Sequence, residues 1–219
     1  DMTVASAKNT VTFTPATLTI TGMAATTKIY DGTTAATLQS GSLSGVLSTD
    51  QVTLTQTGLF NSKNAGAVDA VTSTSTIAGA DAQNYSLTQP TTITAAITPK
   101  DITVSGLSIA PSKIYDGTTN ATVTTGGILT TQNTGVGSTS DGNVYNVDAV
   151  VLGGTPQVFY NSKDVASANL VTVSGYSLTG TGAGNYHLIA PTQAASITPK
   201  NVSITGLTIT ANKIYDATT

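Results

Sequence analysis

The side chains best suited to chemistry are the oxygen ligands Asp141, Asn143 and Asp148, which lie in a polar stretch of the chain. Carboxylate and amide oxygens presented by a loop are the ligands that Ca²⁺ prefers. Their spacing does not follow the EF-hand loop, and Asp, Asn and Gly are also the residues that ordinary turns use. We therefore treat the three residues as a candidate calcium site, with an ordinary turn as the competing interpretation.

Nucleophilic and acid–base catalysis lack their usual residues in this chain. His187 is the only histidine, and the sequence contains no Cys and no Glu. A nucleophile needs a neighbouring base, and His187 has no sequence partner that would complete such a pair. We expect a protein that is not an enzyme and needs no cofactor, in which His187 is a surface or half-buried residue.

A third chemical hypothesis is a self-formed amide bond between Lys and Asn side chains. The candidate pairs are Lys28 with Asn84 and Lys113 with Asn185. Each bond releases one ammonia, so the intact mass of the protein tests the hypothesis. The alternative is that the Asn residues serve turns and that the Lys residues discourage pairing at a sheet edge.

One segment recurs three times along the chain and divides it into repeats. It reads Lys-Ile-Tyr-Asp, followed twice by Gly-Thr-Thr and once by Ala-Thr-Thr. Its tyrosines are spaced 85 and 100 residues apart, which is the length of a small domain. The signature residues are Lys28, Tyr30, Asp31, Gly32, Lys113, Tyr115, Asp116, Gly117, Lys213, Tyr215 and Asp216.

This spacing predicts a tandem array of domains. We expect the last strand of a preceding repeat at residues 1–14, complete repeats at 15–98 and 99–198, and the opening strands of a third repeat at 199–219. Pro99 and Pro199 restrict the backbone at the joints. Consecutive repeats should therefore be coupled stiffly, without a flexible linker.

The repeats should consist of β-strands. Thr fills 45 of the 219 positions, and apolar residues alternate with Thr or Ser, as is typical of strands buried on one face. This alternation changes phase at Gly106, which indicates a bulge or a crossing between sheets. Asp-Gly in the signature favours a tight turn with positive φ, so Ala217 predicts strain or another kind of turn.

A second landmark closes each repeat at Tyr85 and Tyr186. Each of these tyrosines follows an Asn, and a Leu stands two positions further on. A tyrosine at the start of the penultimate strand is typical of the tyrosine corner in immunoglobulin-like sandwiches.

Together, the Lys-Ile-Tyr-Asp-Gly-Thr-Thr signature, the Gly-Asn-Tyr segment and the Ile-Thr-Pro-Lys joint resemble the YDG-type repeat of large bacterial adhesins similar to filamentous haemagglutinin. The resemblance covers both complete repeats and the opening of the third. It implies an all-β fold of tandem immunoglobulin-like β-sandwich domains in a rod-like array. It also implies a location at the bacterial cell surface or outside the cell, and a spacer or adhesive role without catalytic residues.

Charge and hydropathy limit the partners. The formal net charge is -3 and the chain has no Arg, so neither nucleic acid nor an acidic membrane surface is an expected partner. No apolar run is long enough to predict membrane insertion of this segment. The expected partners are neighbouring repeats of the same or an identical chain, and a ligand on a host or matrix surface.

Three functions stay open at this point. The first is a structural stalk or spacer segment of a cell-surface or secreted adhesin. The second is a self-associating extracellular fibre or matrix subunit, joined by strand exchange between chains. The third is a ligand-binding adhesin module that uses the insertion in the second repeat, around residues 131–148.

Overall fold

The computed structural model describes residues 12–209 and 212–217. Strands make up 45% of the structure and helices 3%, the latter as two short 3₁₀ turns at Ala82–Asn84 and Ala183–Asn185. The prediction of a nearly all-β protein is therefore confirmed. Within the described ranges, no helix has the length and apolar character needed to cross a membrane.

The strands of the two repeats are short and numerous. In repeat 1 they are β1 (Ala16–Thr21), β2 (Ala24–Ala25), β3 (Lys28–Ile29), β4 (Ala35–Ala36), β5 (Leu38–Gln39), β6 (Ser42–Ser44), β7 (Thr53–Thr55), β8 (Gly58–Phe60), β9 (Gly66–Ser73), β10 (Thr76–Ala78), β11 (Tyr85–Thr88) and β12 (Ile93–Thr98). In repeat 2 they are β13 (Lys100–Ile102), β14 (Ser108–Ile109), β15 (Ser112–Ile114), β16 (Val123–Thr125), β17 (Thr131–Gln132), β18 (Val144–Tyr145), β19 (Val151–Tyr160), β20 (Leu170–Thr179), β21 (Tyr186–Leu188), β22 (Thr192–Ala194) and β23 (Ser196–Thr198).

The strands predicted at the two ends of the chain are not found among the described residues. Most of the strand expected at 1–14 lies outside the described residues, and residues 12–14 belong to no strand. The described residues of 199–219, which was predicted to open a third repeat, also carry no assigned strand.

The alternating pattern produces strands that are buried on one face. In β1, Leu18 and Ile20 are buried, whereas Thr17 and Thr19 are exposed. A strand places successive side chains on opposite faces, so alternation in the sequence becomes alternation in burial. In β8 the same alternation places Phe60 on the buried face, where it packs in the core.

The chain divides into two compact units, and the division does not coincide with the repeats. The described residues of unit 1 are 12–105, 128–154 and 177–189. Unit 1 thus contains repeat 1 together with part of repeat 2. Its core draws on both: Tyr30, Leu38, Phe60, Val71, Ile93, Ile97, Ile102, Val144, Tyr145 and Tyr186.

Unit 2 contains the rest of repeat 2 and has its own core. Its described residues are 106–127, 155–176, 190–209 and 212–217. The buried side chains are Ile109, Val158, Tyr160, Ala168, Val171, Val173, Ala195 and Ile197. In this unit β14 pairs with β16, β15 with β23, and β20 with β22.

Both repeats pair two strands near their start in parallel with two strands near their end, in the same register. β1 lies parallel to β11 with Ala16 opposite Tyr85, and β13 lies parallel to β21 with Lys100 opposite Tyr186. β3 is likewise parallel to β12, and β15 to β23. The sheets of an immunoglobulin domain are antiparallel, so the predicted immunoglobulin-like arrangement is not confirmed by this strand order.

The change of phase at Gly106 marks a crossing between sheets, which is one of the two predicted alternatives. β13 pairs with β21, whereas β14, on the other side of Gly106, pairs with β16 in a different sheet. Gly106 has a φ of +69°, in the region that favours glycine. Gly22, at the equivalent place in repeat 1, has a φ of +70°.

Candidate functional site

The signature segment folds into a turn that its own lysine holds together. In repeat 1, the Lys28 Nζ donates to Asp31 Oδ1 at 2.8 Å, to the Thr33 carbonyl at 2.8 Å and to the Ala35 carbonyl at 3.0 Å. Asp31 Oδ1 also accepts from the Thr33 amide at 2.9 Å. Burial alone would raise the pKa of Asp31, but the hydrogen bonds from Lys28 and Thr33 outweigh it and lower the pKa.

Repeat 2 builds the same turn. The Lys113 Nζ donates to Asp116 Oδ1 at 2.7 Å and to the Thr118 carbonyl at 2.9 Å. The hydrogen bonds from Lys113 and from Thr118 lower the pKa of Asp116 to about 2. In the third copy Lys213 pairs with Asp216 at 2.9 Å, and Ala217 takes the strained φ of +60°.

These contacts bear on the proposed Lys–Asn amide bonds. The Lys28 ammonium is occupied by oxygens of its own turn, and the Lys113 ammonium is occupied in the same way. Asn185 bonds instead to Asn64 and to the Ala65 amide. The structure therefore gives these lysines and Asn185 other partners, and intact mass stays the test of the hypothesis.

The candidate functional site is the joint, which we define as the contact, within unit 1, between repeat 1 and the part of repeat 2 in that unit. At its centre lies Tyr30, whose side chain is fully buried. The Tyr30 hydroxyl donates to Asp148 Oδ2 at 2.7 Å. The Lys63 ammonium donates to Asp148 Oδ1 at 2.8 Å and to the Tyr30 hydroxyl at 3.0 Å.

Two tyrosines of repeat 2 complete the cluster. The Tyr186 hydroxyl donates to Asp148 Oδ2 at 2.7 Å and accepts from the Tyr145 amide at 2.9 Å. The Tyr30 ring meets those of Tyr145 and Tyr186 edge to face, with centroids 5.9 and 5.5 Å apart. Edge-to-face aromatic pairs add to the stability that burial provides. One carboxylate of repeat 2 is therefore held by a tyrosine and a lysine of repeat 1.

The electrostatics of the joint favour a charged Asp148 and neutral tyrosines. Burial alone would raise the pKa of Asp148, but hydrogen bonds from Lys63, Tyr30 and Tyr186 outweigh it and lower the pKa. Burial is the main cause that raises the pKa of Tyr186, and the hydrogen bond to Asp148 adds to it. Burial also raises the pKa of Tyr30.

A second contact lies beside this cluster. The Asn185 side chain is buried, with 5% of the residue exposed. Its Oδ1 accepts from the Ala65 amide at 2.8 Å, and its Nδ2 donates to Asn64 Oδ1 at 3.2 Å. A backbone amide of repeat 1 thus depends on a side chain of repeat 2 for its hydrogen bond.

A buried lysine ties the start of repeat 2 to its insertion. The Lys100 side chain is fully buried, and its Nζ donates to Asp141 Oδ1 and to the Asn143 carbonyl, both at 2.7 Å. The ammonium also lies 4.4 Å from the centroid of the Tyr145 ring. Burial alone would raise the pKa of Asp141, but the hydrogen bonds from Lys100 and from backbone amides lower it.

The three candidate calcium ligands have protein partners. Asp141 is paired with Lys100, Asp148 with Lys63 in the joint, and the Asn143 Oδ1 accepts from Thr130. Among the residues described, no three His, Cys, Asp or Glu side chains are grouped as a metal ion would need. Calcium binding there stays a prediction.

Tyr85, Tyr186 and His187 lie in ordered strands. Both tyrosine hydroxyls bond to a backbone amide, as a tyrosine corner requires, but the partners are 38 and 41 residues upstream, not a few. His187 is exposed and pairs with Asp101 at 2.8 Å.

Sequence analysis assigned no role to two residues that bond to the tyrosines described above, Lys63 and Asp50. Lys63 lies in an Asn-Ser-Lys segment that recurs at Lys163. Asp50 and Asp148 each end a Val-x-x-x-Asp segment and stand 35 and 38 residues before the corner tyrosine to which they bond. The recurrence of these two segments in both repeats is the signal that could have found both residues, whereas a local search for calcium ligands considers only neighbours in the sequence.

Replacing Gly32 by Ala should destabilise its turn more than the same change at Gly117. Both glycines have a positive φ, +78° and +81°, so each Ala costs about 1 kcal/mol in backbone strain. Only at Gly32 would the new Cβ meet another side chain, the Thr134 Cγ2 at 2.7 Å. We expect about twice the loss at Gly32, measured by hydrogen exchange of each turn in urea. Equal losses would contradict close packing at the joint.

The stability of unit 1 should fall at both ends of the pH scale. The lowered pKa of Asp148 gives stability that is present above its ordinary value of 3.8 and is lost as the pH falls through the folded value. The raised pKa values of Tyr30 and Tyr186 give stability that is present below 10.0 and is lost as the pH rises through the folded values. The urea midpoint should be flat from about pH 5 to about pH 9 and decline outside. Steady change within that window would contradict the assignment.

Comparison with known families gives one match. A family model described as the YDG domain matches residues 14–93 and 98–195, which together are more than half of the chain. No curated protein matches the chain, and no solved structure matches it.

Proposed function

The chain belongs to the YDG-domain family, and we propose that it is a structural, non-catalytic stalk segment of a bacterial cell-surface or secreted adhesin. In that role the repeats act mechanically, by holding a distal part of a longer protein away from the cell. The observation that carries the proposal is the joint, in which two successive repeats share one hydrophobic core. A shared core resists bending far better than a linker without contacts.

The charged centre of the joint supports the same function. Asp148 is nearly inaccessible to solvent, with 4% of its side chain exposed. Its two carboxylate oxygens accept hydrogen bonds from Tyr30, Lys63 and Tyr186. A buried carboxylate tolerates little displacement from its donors, because losing one leaves part of the charge unsatisfied. The joint therefore favours one relative orientation of the elements it connects.

The strand pairing supports resistance to tension. In repeat 1 the chain enters through β1 and leaves through β12, and these strands pair in parallel with β11 and β3. Because each of these two terminal strands runs parallel to its partner, tension along the chain loads the hydrogen bonds of each pair together, in shear, and does not open them one after another. Repeat 2 keeps the register of both pairs, with Lys100 opposite Tyr186 and Lys113 opposite Ile197.

Single-molecule stretching of the full chain, held at its two ends, tests the proposed function. We expect distinct rupture events that recur after relaxation, with a lower rupture force for unit 1 when Asp148 is replaced by Asn. The matched control is Asp50→Asn, which alters the equivalent carboxylate outside the joint and should lower the force less than Asp148→Asn does. Smooth extension without rupture events would contradict a stalk function.

The ligand-binding alternative is less favoured. The C-terminal end of the insertion, with Val144, Tyr145 and Asp148, is buried in unit 1. Thr134, earlier in the insertion, lies next to Gly32 of the signature turn. These residues are occupied by contacts with repeat 1, which leaves the insertion less surface for a host or matrix ligand.

A further inference from the structure

Three Asp-Gly pairs occur along the chain, at residues 31–32, 116–117 and 141–142. An Asp-Gly pair is prone to rearrange, because glycine has no side chain to keep its backbone nitrogen away from the neighbouring carboxyl group. The first two pairs belong to the recurring signature, and the third lies in the insertion of repeat 2. Each pair is therefore a potential site of spontaneous covalent change in the main chain.

The rearrangement proceeds through a cyclic imide. The glycine nitrogen attacks the aspartate Cγ and loses its proton, a C–N bond forms, and one carboxyl oxygen leaves as water. Water then opens the succinimide ring at either of its two carbonyls. The product is aspartate or isoaspartate, with no net change in mass, and isoaspartate lengthens the main chain by one carbon atom.

The aspartates of all three pairs are held by the same two bonds. A lysine ammonium donates to Oδ1 in each, at 2.8 Å from Lys28, 2.7 Å from Lys113 and 2.7 Å from Lys100. The backbone amide two residues further along donates to the same oxygen, at 2.9, 2.9 and 3.0 Å. In the signature the lysine stands three residues before its aspartate, whereas Lys100 stands 41 residues before Asp141. The shared contact with lysine therefore does not follow from a shared local sequence.

A lysine partner accompanies every Asp-Gly pair but not every aspartate. Among the residues that the structure describes, Asp50, Asp69 and Asp81 precede Gln or Ala and form no ion pair with a lysine. Asp148 and Asp164, which precede Ala and Val, do pair with lysines. Lysine pairing thus has other uses in this chain, yet no Asp-Gly pair within the described ranges is without it.

The contacts of Asp116 oppose the loss of water that the cyclisation needs. Water leaves from the neutral carboxyl group, whereas hydrogen bonds from Lys113 and Thr118 lower the pKa of Asp116 to about 2. The Asp116 Oδ1 accepts from the Lys113 ammonium at 2.7 Å, and from the amide and the hydroxyl of Thr118 at 2.9 Å each. Lys113 is the charged group that acts on Asp116, and its ammonium lies 5.6 Å from the centroid of the Tyr160 ring.

We propose that the lysine of each Asp-Gly pair protects it from isomerisation, and that loss of this contact makes the pair a site of isoaspartate formation. The signature lysine thereby has a chemical role besides holding its turn. At Gly32 the additional main-chain atom would displace a turn that lies against Thr134. The protection is independent of the stalk function, since it concerns the chemical lifetime of the turns.

Peptide mapping of Lys113→Met after prolonged incubation at about pH 5 tests the proposal. The isoaspartyl peptide has an unchanged mass but differs in retention time and in fragment ions. Asp116 suits the test because its side chain is 53% exposed and a Cβ at Gly117 would meet no other atom. We expect isoaspartate at Asp116 to form at least about tenfold faster than in the wild type. Equal rates in the two proteins would overturn the proposal.

The matched control is Lys163→Met. This change also removes an exposed lysine from an aspartate, Asp164, with which it pairs at 2.8 Å. The next residue is Val165, whose branched side chain shields its backbone nitrogen. We expect no isoaspartate above the wild-type level at Asp164. Formation there as fast as at Asp116 in Lys113→Met would contradict the special role of the Asp-Gly pairs.

Two measurements separate loss of the ion pair from loosening of the turn. Lys113→Arg keeps a cation beside Asp116 and should restore most of the protection. The ratio of the Lys113→Met rate to the wild-type rate should shrink as the pH falls from about 5 towards the folded pKa of about 2, because both proteins then carry the neutral carboxyl group. A ratio that does not depend on pH, or an Arg variant as labile as the Met variant, would overturn the role of the ammonium.

The wild-type protein provides the same test if Lys113→Met does not fold. At about pH 5 the folded protein should form isoaspartate at Asp116 at least about tenfold more slowly than the same protein unfolded in urea. This ratio should also shrink as the pH is lowered, because unfolding removes the contact with Lys113 and returns the pKa of Asp116 to its ordinary value of 3.8. Equal rates in the folded and unfolded protein, or a ratio that does not change with pH, would overturn the proposal.

Discussion

Replacing Asp148 by Asn is expected to lower the free energy of unfolding of unit 1 by about 3 kcal/mol, as the loss of one partner from a buried ion pair does. The carboxylate accepts from Tyr30, Tyr186 and Lys63, and an amide offers one acceptor atom where the carboxylate offers two. The Asn side chain would turn its donor group towards a hydroxyl or the ammonium. The loss is measured by urea unfolding, with hydrogen exchange to assign it to unit 1.

The matched control for this change is Asp50→Asn. Asp50 makes the same bond to its tyrosine, at 2.6 Å, but lies at a half-exposed position outside the joint. In dilute solution we expect a loss below about 1 kcal/mol, since water can replace the lost partner. If both variants lose the same free energy, burial within the joint is not what makes Asp148 important.

Replacing Lys100 by Met is the second change with a large expected effect, about 2 to 3 kcal/mol of unfolding free energy. Met keeps most of the buried volume, so the loss reports the ammonium and not a cavity. Removing the Lys100 ammonium leaves the Asp141 carboxylate and the Asn143 carbonyl without the donor that lies 2.7 Å from each. The same urea titration measures the effect.

The control is the double variant Lys100→Met with Asp141→Asn. A buried ion pair replaced on both sides destabilises less than one broken on one side, because no charge is left unpaired. We therefore expect the double variant to recover about half of the loss. Additive losses from the two changes would contradict a direct interaction between Lys100 and Asp141. Repeat 1 shows that the pair is dispensable to the fold, since Ala16 stands in the place of Lys100.

The sequence predicted local structure well where the cause is local. Asp-Gly at Gly32 and Gly117 indicated a turn with positive φ, and both residues have it. Alternation of apolar residues and Thr predicted strands such as β1, and the change of phase at Gly106 indicated a bulge or a crossing between sheets, of which the structure has the crossing. Each of these features depends on a few consecutive residues, so it can be predicted without knowing which strand is its partner.

The pairing of strands and the joint were not predictable in the same way. Alternation tells which face of β1 is buried, but not that its neighbour is β11 in parallel. The sequence offered Asp148 only as a candidate calcium ligand, with an ordinary turn as the alternative, because Asp141 and Asn143 are close to it in the sequence. Its partners in the structure, Tyr30 and Lys63, are 118 and 85 residues away. Only the folded chain brings these groups together.

The most direct test of the joint is the hydrogen exchange of one backbone amide, that of Ala65. This amide donates to Asn185 Oδ1 of the next repeat at 2.8 Å, so its protection reports whether the joint is formed in solution. We predict exchange at least about 100-fold slower than for a free amide in the wild-type protein, and loss of that protection when Asn185 is replaced by Ala. The amide of Phe60, which donates to the Thr34 carbonyl within repeat 1 at 2.7 Å, should keep its protection in both proteins. Rapid exchange of the Ala65 amide in the wild type, with Phe60 protected, would contradict a closed joint and with it the stalk function.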